Sequence, residues 1–152
     1  PNPGDYYVYE IAHLSSLVVR QTDGSVKAHQ NVCLHRGRLL KDCSGKGESV
    51  FRCPSHGWSW NLDGSLKEIT SEWDFPGVRE DAAQLPPVQV ALWEGFVFIN
   101  PDPAAGPFEE FIGPVAMAQY RKYGFERRYS QANVSKLIRA NRKVVMEDFM
   151  RA

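Results

Sequence analysis

Cys53-Pro54-Ser55-His56-Gly57-Trp58-Ser59-Trp60-Asn61-Leu62-Asp63-Gly64 joins a chemically equipped loop to a hairpin. The loop carries a thiol and an imidazole and is closed by a glycine. Trp58–Leu62 is rich in aromatic residues that suit a pleated, half-buried surface. Asp63-Gly64 is a tight-turn signal between that run and Ser65–Ile69. A ligand-bearing loop feeding an antiparallel hairpin sets the terms for the rest of the chain.

Outward from this stretch the same punctuation recurs. Asp23-Gly24 separates Ser16–Arg20 from Val26–Val32, and Glu94-Gly95 separates Val88–Trp93 from Phe96–Asn100. Tyr6–Ile11 adds a further run of aromatic and β-branched residues. Repeated hairpins without intervening helical periodicity predict an all-β domain, an antiparallel sandwich or barrel. After Asn100 the character changes. Pro101, Pro103, Gly106 and Pro107 break the chain, Phe108–Ile112 and Pro114–Tyr123 suit helices, and residues 126–150 are expected to be extended again, ending in Val144–Phe149. The expected organisation is a β domain over residues 1–105, then a linker and the start of a second, α+β domain over residues 106–152.

Upstream of the opening stretch lies a second equipped segment, Cys33-Leu34-His35-Arg36-Gly37. Seventeen residues separate His35 from Cys53. Both segments fall where strands, Val26–Val32 and Ser49–Arg52, are expected to give way to loops, so a rigid sheet would fix the distance between them. Two thiolates and two imidazoles, one of each per loop, suit a [2Fe–2S] cluster in which the cysteines hold one iron and the histidines the other. Ferric irons, sulfides and thiolates then sum to zero formal charge, so one added electron is accepted more readily than by an all-cysteine cluster. The competing reading is a Cys2His2 zinc site in a binding module. Zinc fingers usually pair cysteine with cysteine and histidine with histidine locally, whereas each half here is mixed.

Around the loops, Gly37 and Gly57 are expected to let backbone N–H groups approach the sulfides. Arg36, Arg38, Lys41, Lys46 and Arg52 outnumber Asp42 and Glu48 and would favour a reduced, negative centre. His13 and His29 stand alone and are read as surface or strand residues. Trp58, Trp60, Trp73 and Trp93 are read as core or loop packing, and Cys43 as a small half-buried residue.

The formal net charge is zero, with 18 basic and 18 acidic residues, which disfavours a nucleic-acid binder. The balance is uneven along the chain, because residues 121–152 carry 9 basic and 3 acidic groups. A sign change of that kind suits a boundary between structural units. Three cysteines, two of them in the motif, make no disulfide framework and point to a reducing compartment. The chain shows no membrane-length apolar run and no signal-peptide plan in its first ten residues, so a cytoplasmic protein is expected. It begins with Pro rather than Met, and the natural N-terminus is expected to lie upstream.

The paired segments, CLHRGRLL and CPSHGWSWNLDG, resemble the Rieske domain of ring-hydroxylating oxygenase α subunits, over about Gly4 to Asn100. Respiratory Rieske proteins carry an extra cysteine in each loop, joined in a disulfide, and a serine after the second His-Gly. Arg38, Ser55 and Trp58 stand in those places here. Ala140–Met150 is similar to the stretch where the family's catalytic domain begins, with Glu147 and Asp148 matching its acidic pair. Arg142 replaces a tryptophan of that stretch, and Arg151 stands where a bridging acid is expected.

The resemblance implies that Cys33 and Cys53 hold a buried iron and His35 and His56 an outer one, with no catalytic residue in this chain. It implies a reductase or ferredoxin as electron donor, a mononuclear Fe(II) beyond these residues as acceptor, and a homo-oligomer of α subunits. It implies neither a nucleic-acid nor a membrane partner. A stand-alone ferredoxin-like carrier is the alternative from another class.

Overall fold

The computed structural model describes residues 2–79, 82–130, 132 and 134–151. Five strands form one antiparallel sheet in the order β1-β2-β3-β7-β8: β1 (Tyr6–Ile11), β2 (Leu14–Arg20), β3 (Val26–Gln30), β7 (Pro87–Trp93) and β8 (Phe96–Asn100). The intervening strands β4 (Phe51–Arg52), β5 (Ser59–Trp60) and β6 (Leu66–Glu68) form a second, smaller antiparallel sheet. The expected all-β architecture is the observed one.

The period-2 alternation of strands drives this packing. On β2, Leu17 and Val19 turn inward and are fully buried, and they meet Phe51 and Trp60 of the smaller sheet. Leu40, Leu85, Trp58, Cys33 and Cys53 complete the same core. The two potential ligand loops are therefore continuous with the hydrophobic interior.

The two Asp-Gly turns are built alike. In the first, Gln21 N donates to Ser25 O at 2.8 Å, Asp23 Oδ1 accepts from Ser25 N at 2.8 Å, and Gly24 has φ +83°. In the second, Asn61 N donates to Ser65 O at 2.9 Å, Asp63 Oδ1 accepts from Ser65 N at 3.0 Å, and Gly64 has φ +90°. One carbonyl ties these turns together across the sheets. Leu62 O accepts from Gln21 Nε2 at 2.9 Å and lies 3.2 Å from His29 Nε2. Trp60 Nε1 donates to Ala83 O at 2.8 Å, and Leu85 N donates to Gly64 O at 2.9 Å, which fastens the smaller sheet to the segment that returns to β7.

Beyond β8, α1 (Phe108–Ile112) and α2 (Pro114–Arg121) appear where the sequence places helices. The C-terminal segment differs from expectation. Val144–Phe149 is not extended but lies within α3 (Arg142–Arg151). Asn141 explains the start: its Oδ1 accepts from Lys143 N at 2.9 Å, and its carbonyl from Val145 N at 3.2 Å. Among the described residues no strand pairs with this segment, and the capped start outweighs the β preference of two adjacent valines. The side chain of Arg151 and all of Ala152 lie outside the described residues.

Cys43 is a second correction, since it is exposed rather than half-buried. Its neighbours make the contacts to β1 instead: Ser44 Oγ accepts from Val8 N, and Gly45 exchanges backbone hydrogen bonds with Tyr6. Among the described residues no helix is long and apolar enough to cross a membrane.

Candidate metal centre

The loop after β3 and the loop between β4 and β5 close by the same hydrogen bonds. Cys33 N donates to Arg38 O at 2.7 Å and Gly37 N to Cys33 O at 2.8 Å. Cys53 N donates to Trp58 O at 2.8 Å and Gly57 N to Cys53 O at 3.1 Å. Gly37 and Gly57 have φ of +72° and +79°, a conformation open to glycine at little cost.

The N–H groups of Gly37 and Gly57 are taken by the cysteine carbonyls, and they serve to close the turns. The amides of His35 and Arg36 favour ionisation of Cys33, and those of Ser55 and His56 favour ionisation of Cys53.

Matching turns place the histidines in successive rather than equivalent slots, His35 two residues after its cysteine and His56 three after. Their rings end up side by side, with centroids 4.6 Å apart and planes at 71°. The cysteines lie deeper, at 1% and 2% exposure, and neither is paired in a disulfide. His35 is half-buried and His56 exposed. The structure thus sets the two imidazoles side by side at the outer face and buries both thiols in the core beneath the same two loops.

The local environment treats the two thiols differently. Burial pushes the Cys33 thiol up, against the pull of the His35 and Arg36 amides. Burial also opposes ionisation of Cys53. There the Ser55 and His56 amides, the Cys33 thiol and the Ser55 hydroxyl outweigh burial and hold the thiol below its ordinary value. Burial, then the charges of His56 and Arg36, keep His35 below its ordinary range, so its imidazole is neutral and can act as a metal donor.

Two observations test which metal group these residues fit. Nδ1 of His35 is shielded from solvent without a hydrogen-bond partner, an expensive arrangement for a polar atom that meets nothing. Among the described residues, no three His, Cys, Asp or Glu side chains converge on one point as a single ion requires. Two buried thiols with two adjacent imidazoles outside them suit a donor set divided between two irons, a thiolate pair on one and an imidazole pair on the other.

Aromatic side chains brace the outer pair. Trp58 stacks on His35 with centroids 5.2 Å apart and planes at 11°. Phe75 stands edge-on to both His35 (5.4 Å) and Trp58 (5.1 Å). Trp60 is core, whereas Trp73 is 80% exposed and Trp93 packs with Phe98, Phe108 and Tyr120. His13 is exposed and His29 buried in β3.

Sequence reasoning missed two supports. Asn31, buried at the mouth of the first loop, accepts at Oδ1 from Leu40 N and Lys41 N, both at 3.0 Å. Its Nδ2 donates to Lys41 O at 2.7 Å and Ser15 Oγ at 3.0 Å. Phe75 is the other, in a stretch without strand or helix periodicity.

The surplus of positive charge is smaller than the composition implies. Lys41 pairs with Glu48, and Arg52 pairs with Glu68 at 3.0 Å while donating to Gly57 O at 3.1 Å. Arg36 and Arg38 are exposed and form no ion pair among the described residues.

Comparison with known proteins gives a concordant picture. The family model described as the Rieske [2Fe-2S] domain matches residues 2–79. The carnitine monooxygenase oxygenase subunit of Escherichia coli (strain K12) is 40% identical over 109 residues, covering 72% of this chain and 29% of that protein. The large oxygenase component of the 2,4-dinitrotoluene dioxygenase system of Burkholderia sp. (strain RASC) is 31% identical over 157 residues, 99% of this chain and 34% of that one.

Among solved structures, a quaternary ammonium Rieske monooxygenase with L-carnitine bound aligns with a TM-score of 0.74 at 30% identity. That alignment covers 82% of this chain and 36% of that one. Naphthalene 1,2-dioxygenase from Rhodococcus sp. aligns at 0.70 and 31%, over 79% and 28%. The chain spans about a third of the length of these relatives.

Proposed function

This chain belongs to the Rieske [2Fe-2S] domain family, and from that premise we propose that it is the electron-transfer portion of an oxygenase large subunit, with Cys33, His35, Cys53 and His56 holding the cluster. Residues 1–105 would form the cluster domain, and residues 106–152 the connection to the catalytic domain. The observation that carries the assignment is the layered quartet: thiols buried beneath two adjacent imidazoles, one half of the set from each sheet.

When bound, the cluster supplies a one-electron carrier whose histidine ligation raises its potential above that of an all-cysteine cluster. The protein's own part is to hold and bias it. Amides at paired turn positions spread negative charge away from each sulfur, and the core excludes water from the thiolate side. Trp58 and Phe75 fix the plane of His35. Arg36 and Arg38 leave a positive fringe that favours the reduced form and an approaching acidic surface.

The donor would be a reductase or ferredoxin and the acceptor a mononuclear Fe(II) beyond these residues, in a homo-oligomer of large subunits. The relatives' names carry two hydroxylated trimethylammonium compounds, carnitine and choline, and one nitroarene, 2,4-dinitrotoluene, so relatives of this region serve more than one substrate class. Substrate choice therefore belongs to parts of those proteins outside the region aligned here.

Iron and acid-labile sulfide analysis of the purified chain tests the reading. About two of each per chain is expected, with loss of both in Cys33→Ser and in Cys53→Ser. Zinc without sulfide, or a cluster that survives either substitution, refutes it.

A further inference from the structure

The two outer rings are held by different means. His35 stacks on Trp58 and meets Phe75 edge-on, whereas among the described residues His56 meets no ring but that of His35. The position of His56 is set through its backbone instead, at the residue that follows it. Gly57 N donates to Cys53 O at 3.1 Å, and Gly57 O accepts from Arg52 Nη1 at 3.1 Å. A Cβ on Gly57 would come within 2.7 Å of Thr70 Oγ1, so the glycine is packed as well as hydrogen-bonded. The first loop has no such clamp. Val32 precedes Cys33 where Arg52 precedes Cys53, and a Cβ on Gly37 would meet nothing within 4 Å.

We propose that Arg52 is a positioning residue that acts through Gly57 to fix His56, its guanidinium bridging the exit of the second loop and Glu68 of β6. The inference rests on the assignment of His56 as a ligand. Nη1 holds the Gly57 carbonyl while Nη2 donates to Glu68 Oε2 at 3.0 Å. Both donors belong to one rigid plane, so the carboxylate on β6 sets the direction from which the other nitrogen meets the loop. Arg52 and Glu68 are each 53% exposed, and an ion pair so open to water adds little stability. The effect of the fork is therefore local: it orients the backbone beside a metal-binding side chain, as outer-shell partners of metal sites do.

Electron paramagnetic resonance of the reduced, cluster-loaded chain and the rate of iron loss to excess EDTA compare wild type with Arg52→Ala, Arg52→Lys and Glu68→Gln. The alanine variant is expected to show shifted g values and to lose iron about tenfold faster. Arg52→Lys keeps the charge but not the planar fork, and is expected to follow alanine. Glu68→Gln keeps an acceptor for Nη2 and the wild-type spectrum. Arg52→Met, which retains the apolar stem, repeats both measurements if the alanine chain loads poorly, and must shift the same way.

An unchanged spectrum and iron loss in a fully loaded alanine or methionine variant overturn the proposal. So does a lysine variant that matches wild type, since charge alone would then suffice, or a Glu68→Gln variant that departs as far as alanine. His56→Ala, run alongside, separates the two layers. If it loses the cluster while Arg52→Ala leaves spectrum and iron loss unmoved, the ligand assignment stands and only the role of Arg52 fails. If His56→Ala keeps a wild-type cluster, the ligand assignment itself fails.

Discussion

The imidazole of His35 lies flat against the indole of Trp58, ring centres 5.2 Å apart and planes 11° from parallel, so the ring proposed as an outer donor is braced by a residue of the opposite loop. Trp58 is itself buried against Trp60 and Phe75. Trp58→Ala should destabilise the chain by about 3–5 kcal/mol, the usual cost of emptying a large buried aromatic. Trp58→Phe retains an aromatic face and should cost less than about 2 kcal/mol. Denaturant melts measure both, and visible circular dichroism of the loaded variants reports whether His35 keeps its orientation.

Asn31 makes a prediction of a different kind, since it packs little apolar surface and instead satisfies backbone groups. Asn31→Leu would strand the N–H groups of Leu40 and Lys41, of which Leu40 is buried. A loss of about 2–4 kcal/mol is expected, at about 1–3 kcal/mol for each unsatisfied buried donor. Hydrogen exchange at Leu40 and Lys41 should accelerate well before that of β2.

The paired Asp-Gly turns form an internal control. Gly24 and Gly64 share left-handed backbone geometry, but a Cβ on Gly24 would meet nothing within 4 Å, whereas one on Gly64 would come within 2.5 Å of His29 Cε1. Gly24→Ala should cost about 1–2 kcal/mol of backbone strain alone. Gly64→Ala should cost about 1–3 kcal/mol more, through displacement of His29 and its link to Leu62. Equal thermal melting of the two variants would contradict the close packing at the second turn.

His29 itself gives a pH dependence. Burial holds its pKa below the ordinary 6.5, the Leu62 carbonyl pulls the other way, Lys27 reinforces the depression and Asp63 opposes it. The fold therefore favours the neutral ring. Its contribution is fully present above about pH 6.5 and is lost as pH falls below that value toward the folded pKa. Thermal melts from pH 8 to pH 5 should show wild type losing more stability than His29→Gln, which keeps a donor for Leu62 O but cannot titrate. Parallel curves would sink the argument.

The β framework was legible because hairpins declare themselves locally. Tyr6–Ile11, Phe96–Asn100 and Phe108–Ile112 have their anticipated limits, since each is flanked by a turn or breaker. The C-terminal helix was not, because Val144-Val145 mimics a strand and Asn141 counts as a cap only once a helix follows it. The candidate ligands were legible from spacing and residue type. Their supports were not: Asn31 and Phe75 act through loop backbone and ring edges that no periodicity marks.

The single carbonyl of Leu62, shared by Gln21 and His29, also bears on how this centre could be moved into another protein. Either loop alone carries a cysteine, a histidine and no means of holding its distance from the other pair. The spacing between the pairs is a property of two docked sheets, latched at Leu62 and fastened again where Trp60 meets Ala83 and Gly64 meets Leu85. The transplantable unit is therefore both docked sheets, β1 to β8, and a graft limited to the two short motifs would carry the donors without the ruler that spaces them.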